Sequence, residues 1–459
     1  MIMKTRIESD SMGELAVPAN ALYGPQTQRA INNFTVSGQP MPISFVRALV
    51  KLKAAAATAN AQLELIEQDI ADAINEACKD LLSSPDLENH FPVDVYQTGS
   101  GTSSNMNANE VIATLASRIR NEPVSPNDHV NYGQSSNDVI PTTIHLCAAL
   151  ALHEDLIPAL DKLKREIEIK AAGVQQYIKT GRTHLMDAMP VTMGQVLMGW
   201  AAQVDANLAN LRAIQPAIQT LAQGGTAVGT GVNAHPEFSM MVCRILTYET
   251  GIEFVPAKSF FAHIGSQDTA VALSGVLKTI AVTVMKISND LRWMNSGPLA
   301  GLGEISLEAL QPGSSIMPGK VNPVIPESAA MVAAQVIGND AAITIGGQSG
   351  NFELNVMLPM IASNLITSIE LLSNISPLLA ERAIKTFEVN EGNLVSSLRR
   401  NPILVTALNP IIGYMKAAEI AKQAYKEDRP IIDVAAEMTD IPHSELEELL
   451  DPRRLTGAH

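Results

Sequence analysis

Four side chains of complementary chemistry lie within nine residues of one another in the stretch 311–326, QPGSSIMPGKVNPVIP. Ser314 is a proton acceptor once its hydroxyl is activated, Ser315 adds a second hydroxyl, Lys320 a cation and Asn322 an amide donor. Pro312, Pro318, Pro323 and Pro326, with Gly313 and Gly319, forbid a regular helix here, so the segment must be a loop. A cation and amide donors in one loop suit a carboxylate ligand. Charge-assisted hydrogen bonds are short and strong, and pre-oriented donors stabilise negative charge as it develops. The plainer alternative is a connector between two helices.

Three further segments are dense in polar groups. Residues 98–110, TGSGTSSNMNANE, crowd small hydroxyl and amide side chains around a glycine turn. Taken alone they read as a solvated loop with an N-cap for the next helix. Residues 133–138, GQSSND, precede Pro141 and a long helix; capping explains them, and so does anion binding at the free amides of a helix N-terminus. Residues 181–195, GRTHLMDAMPVTMGQ, read as a polar turn before an apolar helix and contain His184, a type of residue that is more often structural than catalytic. The nine histidines show no H-E-x-x-H or other metal spacing, and His145 and His153 read as helix residues. The glycine run 224–231, GGTAVGTG, follows a helical pattern rather than a strand and lacks the G-x-G-x-x-G order, which makes it weak evidence for a dinucleotide.

Such loops need rigid elements to hold them. Met193, Leu197, Trp200, Val204, Leu208 and Leu211 recur at spacings of three and four and mark one helical stripe, and similar stripes run through 148–178, 270–294 and 329–345. Several of these helices are apolar on more than one face, so other helices must enclose them, from this chain or from other subunits. The pattern predicts a smaller, mixed but mostly helical domain of short units over 1–134, a central long-helix bundle over 135–390 and a small C-terminal helical domain over 391–459. An all-α class agrees with a composition that is 46% hydrophobic and only 4% aromatic. A net charge of -15 argues against nucleic-acid or anionic-membrane partners, which need clustered Lys or Arg. Cys78, Cys147 and Cys243 are too scattered for a disulfide framework or a zinc site. The N-terminus MIMKTRIESD has no apolar targeting core, and Lys278 interrupts the longest apolar run. The expectation is a soluble cytoplasmic protein.

The loop GSSIMPGKVNP, residues 313–323, resembles the signature of the fumarase/aspartase superfamily, G-S-x-x-M-x-x-K-x-N, at every fixed position. The likeness runs from about Arg6 to Arg454 and includes ALNPIIGYMKAAEIAKQA at 407–424. It implies a three-domain, all-α fold whose long bundles assemble into the helical core of a homotetramer, with each active site shared between three subunits. It also implies roles. Ser314 becomes the base, its hydroxyl made acidic by Lys320 and the amide-rich loop; His184, directly or through a water, becomes the acid; and Glu327 orients and charges that histidine. Ser100, Gly101, Thr102, Ser135, Ser136, Asn137, Thr183, Ser315, Lys320, Val321 and Asn322 become contacts to a small dicarboxylate.

Within the superfamily, GRTH at 181–184 and SGNFELNV at 349–356 are similar to class II fumarases, whereas aspartases usually carry Gln at the place of His184 and Ala at the place of Gly319. The resemblance thus implies reversible anti hydration of fumarate to (S)-malate in the tricarboxylic acid cycle, through an aci-carboxylate and without metal or other cofactor. Argininosuccinate and adenylosuccinate lyases depart at 98–110 and 181–195. A non-catalytic lens-protein role gives no chemical reason to keep Ser314, Lys320, Asn322 and His184 together. One departure stands out: the family's second anion site usually reads H-P-N-D, and here it is Ser125, Pro126, Asn127 and Asp128, without the histidine. Ser103 also replaces a usual Gln, and Ile412 and Met415 replace polar residues.

Overall fold

Helix-forming sequence dominates the chain, and the computed structural model, which describes residues 4–457, is all-α apart from four two-stranded pairings. A hairpin of β1 (Thr5–Asp10) and β2 (Gly13–Pro18) precedes α1 (Pro25–Asn33), α2 (Ile43–Gln62), α3 (Gln68–Ser83), α4 (Thr102–Arg120), α5 (Ser136–Ala151) and α6 (Ile157–Gly173). A second hairpin, β3 (Ile178–Thr183) and β4 (Met186–Thr192), leads into α7 (Met193–Ile218). Next come β5 (Thr220–Leu221), α8 (Phe238–Thr250), β6 (Val255–Pro256), α9 (Phe260–Gly265) and α10 (Asp268–Met294). After β7 (Ile305–Ser306) run α11 (Val324–Gln348) and α12 (Leu358–Leu379). Finally β8 (Glu388–Val389) introduces α13 (Glu391–Arg399), α14 (Asn409–Ile412), α15 (Tyr414–Glu427), α16 (Ile431–Met438) and α17 (His443–Leu449).

The sequence stripe on α7 is the buried face: its six residues are each no more than 2% exposed. Each such large apolar side chain contributes roughly 1.5–3 kcal/mol on burial. On α10, Leu273, Leu277, Ile280, Val284, Ile287 and Leu291 do the same, with Asp268 in the first turn and Arg292 in the last, signs that suit the helix dipole. Three expectations change. The units before residue 134 include helices of 20, 16 and 19 residues, longer than the turn-rich sequence suggests. The stripe over 148–178 stops short: the helix runs unbroken from Ser136 to Gly173 through a π-helical segment, Leu152–Leu156, that joins α5 to α6, and Ile178 opens a strand. The glycine run at 224–231 follows the two-residue strand β5.

Two units are built from interleaved segments. One holds the chain up to Pro158, Ala209–Ala281 and Ala334–Ser373; the other holds Ala159–Leu208, Val282–Ala333 and the chain from Asn374 onward. In the second unit the C-terminal helices close on their own core of Leu404, Leu408, Ile420, Ile431, Val434 and Leu446. By length and composition alone, Ser136–Gly173, Asp268–Met294, Val324–Gln348 and Leu358–Ile384 are apolar enough to cross a membrane. Their most apolar windows are 72, 50, 39 and 61% buried, so α10 and α11 keep the most uncovered apolar surface, including Val282, Met331 and Ile345.

Candidate active site

The proline- and glycine-rich stretch folds as a loop that ends where α11 begins at Val324. Its ends are pinched together: the Gly313 amide donates to the Lys320 carbonyl at 2.8 Å, and Asn322 Nδ2 donates to the Gly313 carbonyl at 2.7 Å. The approach is close enough that a Cβ at Gly313 would lie 2.4 Å from the Lys320 carbonyl oxygen. Inside the pinch, Ser314 Oγ accepts from the Met317 amide at 3.0 Å and the Ile316 amide at 3.3 Å. Both bonds favour the deprotonated hydroxyl, which is the direction a serine base requires. Lys320 Nζ donates to Asn322 Oδ1 at 2.6 Å, and Ser315 and Lys320 are exposed. Lys320, Val321, Asn322 and Glu327 line a cavity of about 430 Å³ together with Asn289, Arg292 and Asn295. Arg292 and the two asparagines escaped notice in the sequence because Asn289 and Arg292 sit in the last turns of a long apolar helix and Asn295 just past its end; three polar residues at spacings of three were the available signal.

The segment read as a polar turn is a two-stranded hairpin. Thr183 pairs with Met186, leaving His184 and Leu185 as the two turn residues, both with positive φ, 57° and 62°. That is the turn geometry matching strand twist, usually built from Asn-Gly or Asp-Gly. Thr183 and His184 are exposed at its tip. The hairpin is anchored by an ionic triad of buried Lys179 and Glu304 with half-buried Arg182: Glu304 accepts from Lys179 Nζ at 2.5 Å and from Arg182 Nη1 and Nη2 at 2.6 and 2.8 Å. Burial pushes the Lys179 ammonium below its ordinary range, only partly offset by Glu304. Burial also raises the Glu304 carboxyl, but hydrogen bonds from Arg182 and the charge of Lys179 outweigh it and hold the group below the usual glutamate value. Within one chain no hydrogen bond or ion pair joins His184 to Glu327 or Ser314 among the described residues.

In the other unit, two helix N-termini carry the remaining predicted contacts. Gly101 is the N-cap of α4 in the left-handed region, and Ser100 Oγ and Thr102 Oγ1 share a hydrogen bond of 2.9 Å. The 98–110 segment is not a solvated loop: Asn105, Asn107, Asn109 and Glu110 are at most 5% exposed. Asn105 Nδ2 donates to Ser136 Oγ at 3.1 Å, tying the start of α4 to the start of α5. Ser135 caps α5, and the Asp138 carboxylate accepts from the Ser135, Gly224 and Thr226 amides at 2.9, 3.0 and 3.0 Å. Burial pushes Asp138 up to about 6 against those hydrogen bonds. Asn137 Nδ2 donates to the Ala227 carbonyl at 2.8 Å, so the glycine run buttresses this N-terminus and is no phosphate cradle of its own. Asn127, Asp128, Asn131, Gln134 and Ser135 line a cavity of about 540 Å³. Beside it, Ser125 Oγ donates to the carboxylate of the lining residue Asp128 at 2.8 Å and accepts from the Asp128 amide.

The serine–lysine–asparagine loop of one unit and the amide-rich helix N-termini of the other are each built from groups that can bind a carboxylate, and the family match gives the class, a lyase. Residues 13–338 match the family profile described as Lyase, and residues 404–457 that described as Fumarase C C-terminus. The chain is 68% identical over 453 residues to "Fumarate hydratase class II 2" of Pseudomonas aeruginosa, covering 99% of both. It is 56% identical over 456 residues to the class II fumarate hydratase of Xylella fastidiosa, covering 99% of this chain and 96% of that one. The crystal structure of a class II fumarase from Schistosoma mansoni superposes with a TM-score of 0.96 at 36% identity, over 99% of this chain and all of that one. The chain belongs to the class II fumarate hydratase family.

Proposed function

We propose that this chain catalyses the reversible anti hydration of fumarate to (S)-malate, a tricarboxylic acid cycle step, in the cytoplasm and without a metal. The C3 hydrogen of malate is barely acidic, and its removal adds charge to a carboxylate that is already anionic. Stabilising that aci-carboxylate falls to Lys320, Asn322 and the amides near Ser314 and Ser315, with Val321 alongside. Ser314 takes the C3 proton, and His184 protonates the departing hydroxyl on the opposite face, supported by Glu327 and Thr183. Ser100, Gly101, Thr102, Ser135, Ser136 and Asn137 hold the substrate carboxylates, with 125–128 as a second anion site, two of whose residues, Asn127 and Asp128, line the same cavity as Ser135. The observation that carries the reading is the pinched loop in which two backbone amides point at Ser314 Oγ.

The reading includes a homotetramer whose sites draw on three subunits and the three-domain division at 1–134, 135–390 and 391–459. Uncovered apolar residues on α11, Met331, Ile337 and Ile345, support helix-to-helix assembly between copies. The test is ultraviolet absorbance of purified protein in excess EDTA, with (S)-malate in one cuvette and L-aspartate in another. Malate alone should react, and Ser314→Ala and His184→Asn should each lose roughly two or more orders of magnitude in rate. Turnover of aspartate, or none of either, would overturn the reading.

A further inference from the structure

Lys53, on α2, is wholly buried and has no carboxylate within ion-pair distance among the described residues. Its ammonium donates to Asn131 Oδ1 at 2.9 Å and Gln134 Oε1 at 3.1 Å, both on the wall of the 540 Å³ cavity beside Ser135. Asn131 Oδ1 also accepts from Asn105 and Asn109, and Asn105 in turn holds Ser136 Oγ. Around this lattice Asn60 Oδ1, Asn105 Oδ1 and Asn109 Oδ1 are buried without partners, an excess of amide acceptors that favours a cation in their midst. A buried charge is expensive unless something nearby repays it. Here the helix N-terminus next to it adds further positive potential, so an arriving dianion is the natural counter-charge.

Resting on the dicarboxylate reading above, we propose that Lys53 is a positioning residue for the carboxylate subsite at the start of α5, clamping Asn131 and Gln134 so that dianion affinity follows the charge on this one buried lysine. Burial supports this by bringing its ammonium down to about 7, with Asp138 of α5 and Cys78 of α3 pulling the other way. The other ionisable groups around it are Glu249 of α8, which faces Lys51 and Cys78, and Asp128, His129 and Tyr132 on the turn that carries Asn131. Dianion binding then draws a proton onto Lys53. Affinity is full while the lysine is charged and falls as pH rises through its free-state value.

Two measurements test this on the full-length protein. Calorimetric titration with succinate, a dicarboxylate that cannot be hydrated, in buffers of different ionisation enthalpy at pH 7.5 should show net proton uptake. In turnover, KM for fumarate should climb as pH rises through 7 and level off about tenfold higher, while kcat stays much flatter. Lys53→Met should abolish both the uptake and the climb, raise KM roughly tenfold at pH 6.5 and leave kcat within about threefold. Wild-type protein that turns over fumarate yet binds succinate without proton uptake overturns the proposal, whether or not the variant folds. So does a folded Lys53→Met that keeps the wild-type KM profile. Wild-type protein inert toward fumarate and malate would instead refute the dicarboxylate reading itself.

Discussion

Replacing Glu304 by glutamine removes one charge while keeping shape, and the ionic triad predicts a large loss of stability. Lys179 and Glu304 are 4 and 6% exposed, and the carboxylate is the sole acceptor that neutralises both Lys179 and Arg182 in the described hydrogen bonds. Removing one partner of a buried ionic cluster costs about 3–5 kcal/mol, because uncompensated charge is left in a poorly solvated place. Spread over a unit of this size, that is a fall of roughly 10 °C in Tm. Lys179→Met should cost clearly less, since Arg182 keeps its two bonds to the carboxylate. Denaturant unfolding followed by tryptophan fluorescence suits the test: the chain has two tryptophans, Trp200 and Trp293, and both lie in the unit that holds Glu304. The folded Glu304 value is depressed, so its stabilisation is present above the unfolded glutamate value and drains away as pH falls through the folded one; Glu304→Gln should lack that acid limb. A Glu304→Gln protein within about 1 kcal/mol of wild type, or less affected than Lys179→Met, would refute the reasoning.

Two further outcomes follow from buried polar groups. Glu110 accepts from the Gly24, Gln26 and Thr27 amides and the Thr27 hydroxyl, so Glu110→Ala strips the first turn of α1 and should cost about 3 kcal/mol, with faster amide exchange confined first to residues 24–33. His145 is pushed down to about 4 by burial, which outweighs its bond to the Thr220 carbonyl. Its folded value lies below its unfolded one, so about 3 kcal/mol of stability is present above pH 6.5 and is lost as pH falls toward 4; His145→Gln should flatten urea midpoints across that window.

The long helices were legible because their apolar spacing is local information, as the uniformly buried α7 stripe illustrates. The 311–323 loop was legible too, since proline and glycine act on their own backbone. What escaped was polar burial. Asn105, Asn109 and Lys53 look like surface residues until Asn131 arrives from 22 to 78 positions away. The hairpin at 178–192 was hidden for the same reason: Lys179 and Arg182 break an apolar alternation, and the partner that makes them tolerable is Glu304, more than 120 residues on. Its turn residues gave no help, because His-Leu is not a usual two-residue turn.

The left-handed backbone at His184 constrains how its chemistry can be probed by saturation mutagenesis. A side chain at φ 57° tolerates Asn, Asp or Gly with little penalty, whereas a β-branched residue adds strain of roughly 1–2 kcal/mol before any chemistry is lost. In a variant library, the activity of Asn and Gly substitutions isolates the imidazole. That of Val, Ile or Thr mixes an absent ring with a displaced turn, so ranking all nineteen by turnover alone would mistake a backbone preference for a catalytic one.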